Sequence, residues 1–433
     1  MPDLVLKGGT VVDATGERLA DVLVRDGVIT DVGAGVPVPG GADVLDVEGC
    51  IVSPGLVDLH AHLREPGDED AETIESGARA AALGGYTAVV AMPNTDPPID
   101  SAAVVDQIRR AGRDAACHIS VSGCITKERA GAELAPLGEL YAMGVRIFTD
   151  DGACVADGGL MRRALEYASS LRGAVLAQHC EDPALARGGH MHEGPWSSWL
   201  GIPGQPGEAE SVVVARDLAL AALTGARIHF LHLSSAASVE LVRAAKARGL
   251  PVTAEATPHH FTLTHASCSG YDPLFKVNPP LRSEEDVAAI KAGLADGTID
   301  AIATDHAPHP KEEKERPFDE APPGMLGLET ALSLTLTELV AAEVLTLAQA
   351  LARLTWQPAA IAGLADLGHG GPVAPGRPGH LCVIDPEAVW EVDATRLASK
   401  ARNTPYGGRK LTGRVRHTIY AGDPVVLDGV AQR

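Results

Sequence analysis

The sequence predicts an α/β protein, a distorted (β/α)8 TIM barrel with a small β-sandwich built from both termini. Three observations predict it. Apolar strand-like runs alternate with amphipathic helical runs at intervals of about 30 residues between residues 51 and 304. Polar, chemically capable residues follow nearly every one of those strands, as barrel active sites require; this disfavours a doubly wound open sheet. Residues 3–53 read as short β runs and turns, too little chain to bury a core alone. They are expected to pair with similar runs near the C-terminus.

In chain order, Leu4-Val5-Leu6-Lys7 and Thr10-Val11-Val12-Asp13 flank Gly8-Gly9, and Arg25-Asp26-Gly27 is a hairpin signal between apolar runs. Barrel strands are predicted at 51–60, 87–91, 118–123, 145–149, 174–178, 228–233, 252–256 and 299–304. Helices are predicted at 73–83, 102–110, 160–170, 208–223, 237–247 and 284–294, several of them ended by glycine. Residues 327–363 read as further helices closing the barrel. Runs at 379–385 and 415–420 read as strands again. The expected units are 1–53 and 366–433, forming the small β-domain, and 54–365, forming the barrel.

The 433 residues suit a large barrel with an accessory domain, and 45% hydrophobic with 21% charged residues is a globular composition. A formal net charge of -21 argues against a nucleic-acid surface, which needs a basic footprint. The seven cysteines are scattered and never form a C-x-x-C pair, the pattern of a reduced, cytoplasmic protein. No basic-then-apolar leader opens the chain, and no uncharged apolar run reaches the ~18 residues of a membrane span.

The chemistry gathers at strand ends. The first strand ends in His60 and His62, spaced i, i+2, so both point the same way; Arg64 shares their parity if the chain stays extended. The second runs into Met92-Pro93-Asn94-Thr95, the fourth into Asp150-Asp151-Gly152, the fifth into His179 and the sixth into His232. The eighth ends in Asp305-His306-Ala307-Pro308-His309. Any one of these could be a satisfied core group or a helix cap. Together, imidazoles and carboxylates at five strand ends of one barrel suit zinc, with manganese or cobalt as alternatives.

The stretches that carry chemistry also carry a resemblance. Residues 53–67, with Asp58-Leu59-His60-Ala61-His62-Leu63-Arg64-Glu65-Pro66 within them, are joined by Met92-Pro93-Asn94-Thr95, Phe148-Thr149-Asp150-Asp151-Gly152, Lys276-Val277-Asn278-Pro279-Pro280-Leu281-Arg282, Ala303-Thr304-Asp305-His306-Ala307-Pro308-His309 and Gly327-Leu328-Glu329-Thr330. In these the sequence resembles the amidohydrolase superfamily, and within it the class I dihydroorotases.

The resemblance implies two zinc ions. His60, His62 and Asp305 match ligands of one, His179 and His232 ligands of the other, and Asp151 the bridging carboxylate. Many relatives bridge with a carbamylated lysine on strand four. This chain has no lysine between Lys127 and Lys246, so Asp151 is the natural bridge, with Asp150 its adjacent competitor. The implied reaction is reversible: a hydroxide generated by the metal pair opens the ring amide of L-dihydroorotate, and N-carbamoyl-L-aspartate cyclises with loss of water. Asp305 matches the general acid/base. Arg64 and Asn94 match binders of the substrate carboxylate, with His309 beside them and His62 contributing. Asn278 and the backbone at Pro323 and Gly324 match contacts to the pyrimidine ring. A homodimer and an association with aspartate carbamoyltransferase are the partner arrangements the resemblance suggests.

Two rival readings have discriminating features. A hydantoinase or allantoinase would act on a ring without Arg64 and Asn94 to hold a carboxylate, and a hydantoinase would have a lysine in place of Asp151. A non-catalytic partner of aspartate carbamoyltransferase would have lost ligands, and all six are present. Residues 309–324, rich in charge and proline, are expected to form a mobile lid. His259-His260 is expected to be structural, since no metal position remains for it.

Overall fold

The computed structural model describes residues 3–433. Eight parallel strands form the barrel: Leu56–Ala61, Tyr86–Ala91, His118–Val121, Ile147–Phe148, Val175–Gln178, Ile228–Phe230, Val252–Ala256 and Ala301–Ile302. Ladders join the first three strands and the last five. Single bridges, Gly123 to Phe148 and Ala61 to His306, close the ring. Its interior holds a cluster of modest apolar groups, including Val57, Leu59, Ala88, Val90, Val175, Ala177, Ala301 and Ala303. Helices cover the outside. Ile74–Leu83 begins in a capping box, in which the Thr73 side chain accepts from the Ser76 amide and the Ser76 side chain answers the Thr73 amide. Ser283 and Asp286 do the same for Glu284–Asp296.

The predicted strand 51–60 is in fact two strands. Ile51–Pro54 pairs with Leu4–Asp13 and Leu381–Glu391, whereas Leu56–Ala61 enters the barrel. Gly55 is the joint. A Cβ there would lie 2.1 Å from Thr87 Cγ2, and its amide donates to His380 O at 2.9 Å. The apolar run is continuous across the joint, so hydrophobic pattern alone cannot show the change of sheet.

The terminal sheet has nine strands. Its path runs Val430–Ala431, Asp423–Leu427, Lys410–Tyr420, Leu381–Glu391, Ile51–Pro54, Leu4–Asp13, Gly16–Arg25, Val28–Gly33, with Asp43–Asp46 also paired to Leu4–Asp13. The path folds back on itself: Gly379 donates to Gly27 O and Ile29 to Arg377 O, both at 2.8 Å. Leu6, Val22 and Val52 from one end share a core with Leu381, Val383 and Ile419 from the other. Leu4–Asp13 runs through Gly8-Gly9 with a bulge where a turn was predicted, and the strands after Tyr420 were not predicted.

Between barrel and terminal sheet, His369 stacks on His380 with centroids 4.2 Å apart, and His380 on Tyr420 at 5.3 Å. Burial, with neighbouring imidazoles, pushes His369 down to about 2 and His380 to about 4. In the unfolded chain both titrate near 6.5. The unfolded state therefore binds protons that the fold refuses, so this stability is complete above pH ~6.5 and lost as pH falls, toward about 4 for His380 and on toward about 2 for His369. These two histidines alone should lower the unfolding free energy by roughly 3–5 kcal/mol between pH 7.5 and pH 4.5. His369→Phe keeps the stack without the titration, so its fall should be smaller in denaturant titrations. An equal fall in both proteins would place the acid sensitivity elsewhere.

Candidate metal centre

Strand alternation delivers much of the site directly. Ala88, Val90 and Met92 line the barrel interior and lead to Asn94; Ile147 leads to Asp151; Val175 and Ala177 lead to His179; Ala301 and Ala303 lead to Asp305. Asp150, of opposite parity, turns away and accepts from the Ile125 and Thr126 amides at 2.8 and 3.0 Å. Three groups arrive by irregularity instead. The ladder of the first strand slips between Asp58 and Ala61, so that Leu59 stays in the interior cluster while His60 is also aimed at the site. His232 takes φ 27° and Arg64 φ 64°. Arg64 is thus carried in by a left-handed turn, not by the extended parity expected from sequence. Asp305 is also left-handed, at φ 45°. Strained backbone of this kind gathers at functional sites.

The donors converge in two groups that share one carboxylate: His60, His62 and Asp151, and Asp151, His179 and His232. Asp151 Oδ2 lies 3.3 Å from His60 Nε2 and 3.4 Å from His62 Nε2. Its Oδ1 lies 3.5 Å from His179 Nδ1 and 3.4 Å from His232 Nε2. Asp305 Oδ1 stands 3.2 Å from His62 Nε2 and 3.5 Å from His60 Nε2. Two donors each about 2.0–2.1 Å from a tetrahedral zinc stand about 3.3 Å apart, so these spacings suit ligands around a shared cation. His60 Nε2 and Asp151 Oδ1 are buried with no hydrogen-bond partner, which a cation would satisfy. The residues present fit two divalent metals.

Outward nitrogens are held in place. His60 Nδ1 meets Glu255 Oε1 at 2.9 Å, and His62 Nδ1 meets Asn94 Oδ1 at 2.8 Å. Asn94 is thereby oriented with its amide nitrogen free to face a ligand. His179 Nε2 faces Glu181 Oε2 at 3.7 Å and Asn278 Nδ2 at 3.4 Å. Burial pushes the Asp151 carboxyl up, but the imidazoles of His60, His179 and His232 outweigh it and hold it well below the ordinary range. Burial likewise opposes ionisation of Asp305, and His60, His62 and His232 prevail. Both are anions at neutral pH, as metal ligands must be.

A cavity of about 230 Å³ opens on this centre. Its walls include His62, Arg64, Asn94, Asn278, Asp305, His309, Pro323 and Gly324. His60 lies beneath it, fully buried. Arg64 Nε donates to Pro308 O at 3.1 Å, and its Nη2 is 3.3 Å from His309 Nε2. Residues 309–324 pack down beside the cavity. Lys314 Nζ, buried inside the segment, donates to Pro322 O and Gly324 O at 2.9 and 3.0 Å. Two larger clefts, of about 720 and 470 Å³, lie elsewhere and contain neither metal-ligating group.

Sequence reasoning missed Glu255, Glu181 and Arg129. Arg129 Nη2 donates to the Asp151 carbonyl oxygen and braces the loop after the fourth strand. Glu255 had a readable signal, an acid between Ala254 and Ala256 inside a predicted barrel strand. His259 and His260 do not line the cavity; His260 bridges Thr257 Oγ1 and Pro279 O at 2.8 and 3.0 Å.

Comparison with known proteins agrees with this geometry. A family model described as dihydro-orotase-like matches residues 49–238. The chain is 52% identical to a dihydroorotase of Pelotomaculum thermopropionicum, with 99% of each chain covered, and 48% identical to one of Streptomyces coelicolor, again over 99% of each. Among solved structures it resembles the L-hydantoinase (dihydropyrimidinase) of Arthrobacter aurescens, with TM-score 0.89 and 26% identity over 100% of this chain and 98% of that one. Near 50% identity along the whole length outweighs a shared barrel at 26%, and the chain belongs to the dihydroorotase family.

Proposed function

We propose that the protein is a zinc-dependent dihydroorotase, interconverting L-dihydroorotate and N-carbamoyl-L-aspartate in pyrimidine biosynthesis. The observation that carries this reading is the pairing of a two-metal donor set with an acid-binding arm, Arg64 and Asn94, in one cavity. Two divalent cations held by His60, His62, Asp151, His179, His232 and Asp305 would supply a water acidic enough to attack at neutral pH and would polarise the ring carbonyl.

The chain's own groups do the rest. Arg64 and Asn94 bind the substrate carboxylate and set the ring's orientation, with His309 beside them. Asn278 and the backbone at Pro323 and Gly324 face the ring. Asp305, ionised and at the cavity wall, accepts a proton from the attacking water and returns it to the ring nitrogen as the C–N bond breaks. In the reverse direction Asp305 takes that proton from the ureido nitrogen as the ring closes.

The test is an assay against L-dihydroorotate, hydantoin and allantoin, with metal analysis of the same sample. Two zinc ions per chain and turnover of dihydroorotate alone are expected. Turnover of hydantoin in preference to dihydroorotate, or full activity after exhaustive chelation, would overturn the reading.

Arg64→Lys should raise KM for dihydroorotate about tenfold or more with a smaller change in kcat, because an ammonium cannot make the paired planar contacts of a guanidinium. Steady-state kinetics checks this, and an unchanged KM would place the carboxylate elsewhere.

A further inference from the structure

Below the metal centre, the barrel interior holds a polar chain that neither the proposed reaction nor the ligand set uses. Glu255 lies on the seventh strand and is fully buried. Its neighbours Ala254 and Ala256 pack outward with Ile228 and Phe230 of the sixth strand. Glu255, Thr253 and His229 therefore face inward. Glu255 Oε1 is 2.9 Å from His60 Nδ1, and Oε2 is 3.0 Å from His229 Nε2. His229 Nδ1 lies 2.8 Å from Thr253 Oγ1. Both oxygens of one buried carboxylate are thus taken by two imidazoles from different strands.

We infer that Glu255, held by His229, is the positioning residue that fixes His60 for metal binding; the inference rests on the metal reading proposed above. Ionised Glu255 can only accept, so His60 must carry its proton on Nδ1. That leaves the Nε2 lone pair facing Asp151 and Asp305. The carboxylate also makes the imidazole a stronger donor, as paired carboxylates do for metal-bound histidines. His229 plays the matching part on the other oxygen. With its Nε2 proton given to Glu255, its Nδ1 accepts from the Thr253 hydroxyl, so the carboxylate cannot swing away from His60. None of the other three ligand histidines has a carboxylate at hydrogen-bond distance on its outer nitrogen. His62 faces a neutral amide, His179 a carboxylate 3.7 Å away, and His232 Nδ1 has none. Glu255 Oε1 also accepts from the His232 backbone N–H at 3.4 Å, a contact an isosteric amide oxygen keeps, so the effect of the charge falls on the metal that His60 binds.

Glu255→Gln separates positioning from packing. The amide is isosteric, its oxygen can still accept from His60, and its NH2 can face His229 once that ring changes tautomer, so the hydrogen bonds survive and only the charge goes. Zinc titration of the metal-free protein against a chelating dye reads both sites without using activity. Relative to wild type, E255Q should bind one zinc 10–100-fold more weakly and the other within about threefold, with an unchanged melting temperature when metal-free. Unchanged affinity for both, or equal weakening of both with a less stable metal-free protein, would overturn the inference. Should E255Q fail to fold, His229→Gln and His229→Leu decide. Glutamine can keep the donor to Glu255 and leucine cannot, so only leucine should weaken that same zinc, and identical affinities in the two would reject the role. A wild-type chain that binds no zinc would instead defeat the metal reading itself.

Discussion

Asp305→Asn should cut kcat for dihydroorotate by ~10²–10⁴-fold while the substrate still binds. The carboxylate is ionised, stands beside the first histidine pair and is open to a ligand: Oδ1 is 3.2 Å from His62 Nε2, and Asp305 lines the cavity. Asparagine keeps the shape and an oxygen for the histidines, but its amide can neither take a proton from water nor return one to nitrogen. Because the same group is a proposed ligand, zinc content must be measured alongside rate. Loss of rate with two zinc ions retained assigns the loss to proton transfer. Recovery of full rate when zinc is raised would assign it to metal retention alone, and near-normal turnover at the outset would reject Asp305 as acid/base.

Much of this site was readable because β-strands alternate. Asn94, Asp151, His179 and Asp305 each continue the inward parity of the small apolar residues before them, so strand placement was enough to place the side chain. The same rule sets Asp150 aside. Where alternation breaks, the sequence is silent. A bulge at the first strand end gives His60 its aim, and left-handed backbone at Arg64 and His232 turns those side chains inward. Nothing in the local residue types marks these irregularities; the resemblance to a known family named the residues without explaining how they reach the site. Gly55 hides the sheet change for a related reason, since close approach of Thr87 is a tertiary fact. The six helices predicted before residue 327 match to within two residues, since end signals such as Thr73-x-x-Ser76 and Ser283-x-x-Asp286 are local chemistry, but the short helices Leu137–Ala142 and Pro195–Leu200 were missed. Glu255 shows the opposite failing. An acid between two alanines is visible in the seventh strand, but no local motif ties it to a histidine on the first.

Asp151→Asn should have the larger consequence. Asp151 is the one side chain whose two oxygens face different histidine pairs, Oδ2 toward His60 and His62, Oδ1 toward His179 and His232. An amide offers one acceptor. Its NH2 end must then face a pair of imidazole nitrogens that present lone pairs inward, so one metal position loses a ligand and gains a donor pointed at it. The charge matters as well. Without Asp151, the cations would rest on Asp305 alone among the ligand carboxylates, and in so dry a site the lost attraction is poorly replaced. Losing a partner outside the ligand set costs ~10–100-fold in metal affinity, so losing the shared ligand should cost more than ~100-fold at the weakened site. At a zinc concentration that fills wild type, the variant should hold at most one ion per chain, with activity reduced at least as far as in Asp305→Asn. Asp150→Asn is the control. That carboxylate serves only the 125–126 loop, through two amides and the Thr126 hydroxyl. It should keep both zinc ions and lose about 1–3 kcal/mol of stability. Two tightly held zinc ions in Asp151→Asn would mean that the bridge comes from elsewhere, and a metal loss in Asp150→Asn equal to that in Asp151→Asn would mean that the loop, not the ligand, was disturbed.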